Sequence, residues 1–262
     1  MLGLRILSAL VGAPLMLLAI WTGGPVLMVL LGIFMLVAIR ELTFMMSKTG
    51  LKPPVILASV GVLALAAGVY LFGERALGNV FIFVLVAALL YMAAHYPKIG
   101  PADAGATILA VMYTGLITYI FLIRNLTDGW IWLVFMLFAT WAGDTLAYFG
   151  GKKLGRHKLA PNLSPGKTVE GALAGLLGSL MAGSVMALIY TELPWGHFLA
   201  LALLAGVAGQ AGDLTESAFK RLAGVKDSGS LIPGHGGILD RFDSMLFAAP
   251  AVYHYLALFI IS

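Results

Sequence analysis

The run from Gly129 to Phe149, GWIWLVFMLFATWAGDTLAYF, carries one charged residue, Asp144, in 21 positions. A helix that crosses a bilayer needs about 17 to 25 predominantly apolar residues, and this run supplies them. Comparable runs lie near 4–21, 25–46, 55–72, 78–95, 103–123, 169–190, 197–219 and 244–261, which makes nine. Gly24-Pro25, Pro53-Pro54, Pro97 to Pro101 and Pro194 mark breaks between them. The chain is 61% hydrophobic and 11% charged, where soluble domains carry about 25% charged residues. The expected fold is therefore all-α, a polytopic integral membrane protein with about nine transmembrane helices. The first run follows Arg5 but shows no small-residue cleavage site, so it reads as a retained helix, kinked at Pro14. The absence of Cys excludes disulfides, thiolate metal sites and a cysteine nucleophile.

The placement of Lys and Arg sets the expected orientation. With the N-terminus in the cytoplasm and nine spans, fourteen of the 16 Lys and Arg fall inside and only Arg75 and Arg124 outside. That is the positive-inside bias of a membrane protein, and it puts the C-terminus outside. Two long loops then face the cytoplasm. One is 150–169, GGKKLGRHKLAPNLSPGKTV; the other lies within Ser217 to Asp243, SAFKRLAGVKDSGSLIPGHGGILDRFD. This second block packs three Asp, four Lys or Arg, one His and five Gly into 27 residues. A charged block beside apolar spans points to chemistry at the bilayer surface.

For Lys152, Lys153, Arg156 and Lys158 the alternative is a solvated basic patch on anionic headgroups. Ser164-Pro165-Gly166-Lys167-Thr168 resembles the end of a P-loop. Pro161 stands where an earlier Gly is required, and no strand is expected before it, so the Walker reading is rejected. A cation on a tight turn can still bind phosphate.

A carboxylate at the centre of a membrane helix costs about 2.5 to 3.5 kcal/mol on insertion scales, so such residues usually face a cavity. Asp144, Glu170, Asp213 and Glu216 fall inside or at the ends of apolar runs. Asp213, Glu216, Ser217 and Lys220 share one helix face, as do Asp144 and Tyr148, and Asp240 and Asp243. Gly234, Gly236 and Gly237 allow close backbone approach to a ligand, and the helix after them offers its N-terminal end to anions. Several carboxylates without Cys or a His cluster suit a hard cation such as Mg²⁺ with phosphates. Neutralisation of Lys220, Arg221 and Arg241 in ion pairs is the alternative, strongest for Glu216 and Asp227. His235 stands equally as a phosphate donor or a loop contact. Glu41, beside Arg40, and Asp103, at a helix start, read as structural.

These residues resemble the signature of phosphatidate cytidylyltransferases, also called CDP-diacylglycerol synthases. The resemblance runs through Ser217-x-Phe219-Lys220-Arg221, Lys226-Asp227-x-Gly229 and Pro233-x-His235-Gly236-Gly237-Ile238-x-Asp240-Arg241-Phe242-Asp243. It extends to Gly212-Asp213-Leu214-x-Glu216-Ser217, Ser164-Pro165-x-Lys167-Thr168-x-Glu170-Gly171 and Trp141-x-x-Asp144-x-x-Ala147-Tyr148. All of it lies in 131–262, the expected catalytic part with its loops 150–169 and 220–243. Residues 1–130, about five helices, carry no diagnostic motif.

The resemblance implies transfer of the cytidylyl group of CTP to phosphatidic acid, giving CDP-diacylglycerol and pyrophosphate for phospholipid synthesis. It implies an enzyme of the inner cell membrane that works at the cytoplasmic face as a homodimer, with no nucleic-acid partner. Carried over by position, Asp213 and Asp240 are metal ligands for Mg²⁺, with a second metal or K⁺ as an open alternative. Asp144, Glu216, Asp243, Lys220, Arg221, Lys226, Asp227 and His235 surround that centre, and Ser164, Lys167 and Lys226 hold the nucleotide. Two rivals are a transporter, which would need no basic Gly-rich loops, and a CTP-dependent polyprenol kinase, which would release CDP.

Overall fold

The computed structural model describes Gly12, residues 14–231 and residues 236–261. It is 78% helix. Helices α1 (Gly24–Ser47), α2 (Val55–Phe72), α3 (Arg75–His95), α4 (Pro101–Gly115), α5 (Thr118–Arg124) and α6 (Gly129–Leu154) come first. A hairpin of β1 (Lys158–Ala160) and β2 (Ser164–Thr168) follows, then α7 (Val169–Ile189), α8 (Trp195–Leu222) and α9 (Leu239–Phe259). Among the described residues, seven stretches are long and apolar enough to cross a membrane: α1, α2, α3, α4 with α5, α6, α7 and α8.

The expectation of nine differs at both ends. Half of the run 4–21, residues 4–11 and 13, lies outside the described residues, and residues 14–21 are helical. The run 244–261 is helical within α9, which also takes in Asp240, Arg241 and Asp243 before the run and holds His254 and Pro250 inside it, and α9 is not among the seven. The expected single span 103–123 is interrupted at Leu116 and Ile117, between α4 and α5.

Two compact units divide the chain. The first joins the described residues up to Leu122 with Phe219–Phe242; the second joins Ile123–Ala218 with the residues from Asp243 onward. In the first unit Leu27, Leu31, Met35, Ala38, Leu42 and Met45 form one buried stripe of α1, while Val26, Val29, Ile33 and Phe44 face outward. Spacings of three and four put the buried set on one face, and the apolar outer face suits lipid. Glu41 falls on the buried side. Pro101 starts α4, and Asp103 caps it: its carboxylate accepts from Gly100 N at 2.8 Å and Lys52 N at 2.6 Å. That is the structural role expected for Asp103.

In the second unit, small residues let α6 and α7 pack backbone to backbone. A Cβ at Gly178 would meet the carbonyl of Ala142, and one at Gly175 the carbonyl of Gly143 and Ala147 Cβ. Ser179 Oγ donates across this seam to Ala139 O at 2.9 Å. With 26 and 28 residues, α6 and α8 are about 39 and 42 Å long at 1.5 Å per residue. Both exceed the hydrocarbon thickness of about 30 Å, which leaves length for their polar last turns beyond the apolar part.

Candidate active site

The hairpin between α6 and α7 corrects the expectation that no strand precedes Ser164. β1 and β2 pair antiparallel, with Lys158 opposite Thr168 and Ala160 opposite Ser164. Lys158 Nζ donates to Pro165 O at 2.7 Å, so this cation ties the hairpin together rather than serving only as a surface patch. Pro165 and Gly166 signal a turn locally, but the pairing makes them strand. The Walker reading stays rejected, since Lys167 sits on an edge strand and not in a loop wrapping a helix N-terminus.

Thr168 ends β2 and caps α7, its Oγ1 accepting from Gly171 N at 3.1 Å. Glu170 accepts from Arg156 N at 3.0 Å and contacts His157 Nδ1 at 2.6 Å. It therefore clamps the entry of the hairpin to the first turn of α7. These bonds aim Lys167 back at α8, where its Nζ meets Asp213 Oδ2 at 2.6 Å.

Lys167 and Asp213 line a cavity of about 480 Å³ together with Asp144, Tyr148, Lys152 and Gln210. The expected face-sharing of Asp144 and Tyr148 thus brings both into one cavity. Ser217 Oγ lies 3.5 Å from Asp213 Oδ1, the outer limit of a hydrogen bond. Glu216 is fully buried, Ser164 is half-buried in β2, and Asp243 is half-buried with Ser244 N on its Oδ1 at 2.7 Å. The side-chain donors of the lining include two carboxylates and the Thr168 hydroxyl, with no imidazole or thiolate. That donor set fits a hard divalent cation. Among the described residues no three His, Asp or Glu stand close enough to hold a metal by themselves.

The first unit organises the other loop. Lys220 Nζ donates to Asp240 Oδ1 at 2.8 Å. Asp240 Oδ2 accepts from Ser228 N at 2.8 Å, Ser228 Oγ at 2.9 Å and Gly237 N at 2.8 Å. Gly236 has φ +81, and a Cβ there would strike the Asp240 carboxylate; only glycine meets both demands. Arg221, Lys226 and Asp227 are exposed. His235 and Gly234 lie outside the described residues.

Gln210 and Ser228 escaped the sequence reading, and Glu41, read there as structural, has partners that reading did not name. Gln210 reaches over the cavity edge to donate to Ala172 O at 3.0 Å. Glu41 accepts from Ser228, Ile238 and Leu239. The signal was available: an acid inside an apolar run drew attention to Asp144 and applies equally to Glu41.

A helical membrane chain that sets lysines and carboxylates around a cavity at the ends of its long helices defines a class, the integral membrane enzymes acting on phosphate-bearing substrates. The sequence profile of the cytidylyltransferase family matches residues 3–259, and the chain belongs to that family. It is 45% identical over 160 residues to the phosphatidate cytidylyltransferase of Bacillus subtilis (strain 168), an alignment covering 60% of each chain. It is 34% identical over 252 residues to the enzymes of that name from Staphylococcus saprophyticus and Staphylococcus aureus (strain COL), covering 94% of this chain and 95% of theirs.

Proposed function

We propose that the protein transfers the cytidylyl group of CTP to phosphatidic acid, releasing pyrophosphate and forming CDP-diacylglycerol. The supporting observation is the cavity that places Lys167 and Asp213 in contact beside Asp144, in a chain related along nearly its whole length to phosphatidate cytidylyltransferases.

The lipid phosphate is already anionic at neutral pH, so its oxygen attacks the α-phosphorus of CTP without a general base. A P–O bond forms, the α–β phosphoanhydride breaks, and the electron pair leaves with pyrophosphate. The barrier lies in joining two anions and in charge growing on the leaving group. Lys167 holds the triphosphate when it swings from Asp213, and Lys220 and Arg221 serve the lipid phosphate. Ser164 and Lys226 assist with the nucleotide, while Glu216, Asp227, His235 and Asp243 complete the surroundings. Asp213 and Asp240 are the proposed Mg²⁺ ligands, with Asp144 beside Asp213. The cation supplies charge neutralisation at the phosphates when bound.

The proposal includes nine spans, the N-terminus and both long loops in the cytoplasm, the inner cell membrane as location, and a homodimer. The chain lacks Cys, so Lys153→Cys and Ser230→Cys label from the cytoplasmic side only, and Thr127→Cys from the outside only. Light scattering in detergent reads the dimer.

Pyrophosphate release by purified protein given CTP, phosphatidic acid and Mg²⁺ tests the reaction. Release should require the lipid and disappear with EDTA and in Asp213→Asn. CDP release with a polyprenol, and no pyrophosphate with phosphatidic acid, would overturn it in favour of a kinase.

A further inference from the structure

Glu41 sits on α1, 187 to 198 residues away in sequence from the groups it binds. It is 8% exposed. Its Oε1 accepts from Ile238 N at 3.0 Å, and its Oε2 from Leu239 N at 3.0 Å and the Ser228 hydroxyl at 3.1 Å. Ile238 immediately precedes α9 and Leu239 opens it, and the first N–H groups at a helix start have no partner within it. A carboxylate at that end satisfies two of them and meets the positive pole of the helix. One helix thus caps another with a side chain the local sequence could not supply.

The same hydroxyl joins Glu41 to Asp240. Ser228 Oγ is 2.9 Å from Asp240 Oδ2 and receives Asp240 N at 3.3 Å. A serine hydroxyl carries one proton, so it donates to one carboxylate at a time and links the two. Gly229 and Gly237 make room, since a Cβ on either would strike the Glu41 carboxylate. Two glycines of the charged block are accounted for by an acid on a helix that carries no diagnostic motif.

We propose that Glu41 is a positioning residue for cytidylyl transfer: it fixes the backbone at Ser228 and at the start of α9 so that Asp240 and Lys220 stand in one arrangement toward phosphate-bearing substrates. This rests on the cytidylyltransferase reading above. Glu41 acts through Ser228 and the helix start and need touch no substrate. Glu41→Gln keeps the shape but replaces an acceptor oxygen with an NH₂ that faces another donor.

The test compares full-length Glu41→Gln, Glu41→Asp and Gly237→Ala with the unsubstituted protein in detergent. Kinetics with CTP and phosphatidic acid, Tm, and hydrogen exchange of peptides covering 24–47 and 226–241 are measured together. Glu41→Gln should lower kcat about tenfold to a hundredfold, the range for partners that orient a ligand-bearing group. Both KM values should stay within about twofold and Tm nearly unchanged, with faster exchange confined to 226–241. Gly237→Ala should reproduce this pattern, because its Cβ would displace both the Ser228 hydroxyl and the Glu41 carboxylate bonded to it without removing either, and it carries the test if Glu41→Gln fails to fold. Unchanged kcat and exchange in Glu41→Gln would overturn the proposal. So would a fall in kcat matched by a lowered Tm and faster exchange throughout 24–47, which is the pattern of a packing role. If the unsubstituted protein makes no pyrophosphate, the reaction assignment fails, while the exchange comparison still decides whether Glu41 holds the segment.

Discussion

Among the described residues each unit holds a Lys–Asp ion pair of nearly the same length, and the two pairs are built for different ends. Lys167 and Asp213 stand 2.6 Å apart with side chains 26% and 31% exposed, facing a cavity. Lys220 and Asp240 stand 2.8 Å apart at 15% and 7%, and the second oxygen of Asp240 takes three more donors from Ser228 and Gly237. The first pair borders a cavity into which its partners can turn, although the Lys167 ammonium itself is buried. The second is enclosed, and a buried charge left without its partner costs about 3 to 5 kcal/mol. An exchangeable pair suits handing its lysine to a charged substrate; a locked one suits holding Asp240 and Lys220 in one fixed arrangement toward the substrates.

The largest expected effect separates the two by stability. Asp240→Ala should lower Tm by many degrees, since it removes the carboxylate that Lys220 Nζ, Ser228 N and Gly237 N share, and it should abolish activity as well. Asp213→Ala should abolish activity with a smaller fall in Tm, because this pair is the less enclosed of the two. Thermal unfolding of both proteins in the same detergent checks this. An equal fall in Tm for the two would show that the cavity pair is as structural as the enclosed one.

A smaller effect sharpens the role of the open pair. Lys167→Met keeps the length of the side chain and removes its charge. With the ammonium gone, kcat/KM for CTP should fall about 10²- to 10³-fold, the range for one group that stabilises charge developing in a transition state. The KM for phosphatidic acid should move little. Initial rates with each substrate varied in turn decide it, and a change confined to the lipid would reverse the assignment of Lys167.

The contrast also follows what the sequence could reveal. Apolar runs are a local signal, so α1 to α3 and α6 to α8 were legible almost to their ends. Asp213, Lys167 and Asp144 were legible as charges set in or beside such runs, and the structure brings all three to one cavity. The hairpin was not, because Pro165 and Gly166 signal a turn, whereas the register of Lys158 with Thr168 depends on pairing. Glu41 was read as structural beside Arg40, but its partners lie 187 to 198 residues away, and no window along the chain contains both. The glycines of α7 were visible as residues, but that Gly175 and Gly178 face backbone of α6 needed the fold.

The smallest effect concerns how firmly the hairpin aims its lysine. Thr168 is the residue after Lys167 and also the cap of α7, through Gly171 N at 3.1 Å. Removing a cap of this kind costs about 1 kcal/mol, which corresponds to roughly a fivefold change in an equilibrium constant. Thr168→Ala frees the C-terminal end of β2, so Lys167 spends part of its time away from the cavity, and KM for CTP should rise by up to about that factor. Thr168→Ser keeps the oxygen and should restore the KM. The enclosed pair in the other unit has no part in this, so exchange protection in 226–241 should stay as it was. Faster exchange there in Thr168→Ala would mean that the hairpin and the second loop are set by one device, and the division between an exchangeable and a locked pair would have to be given up.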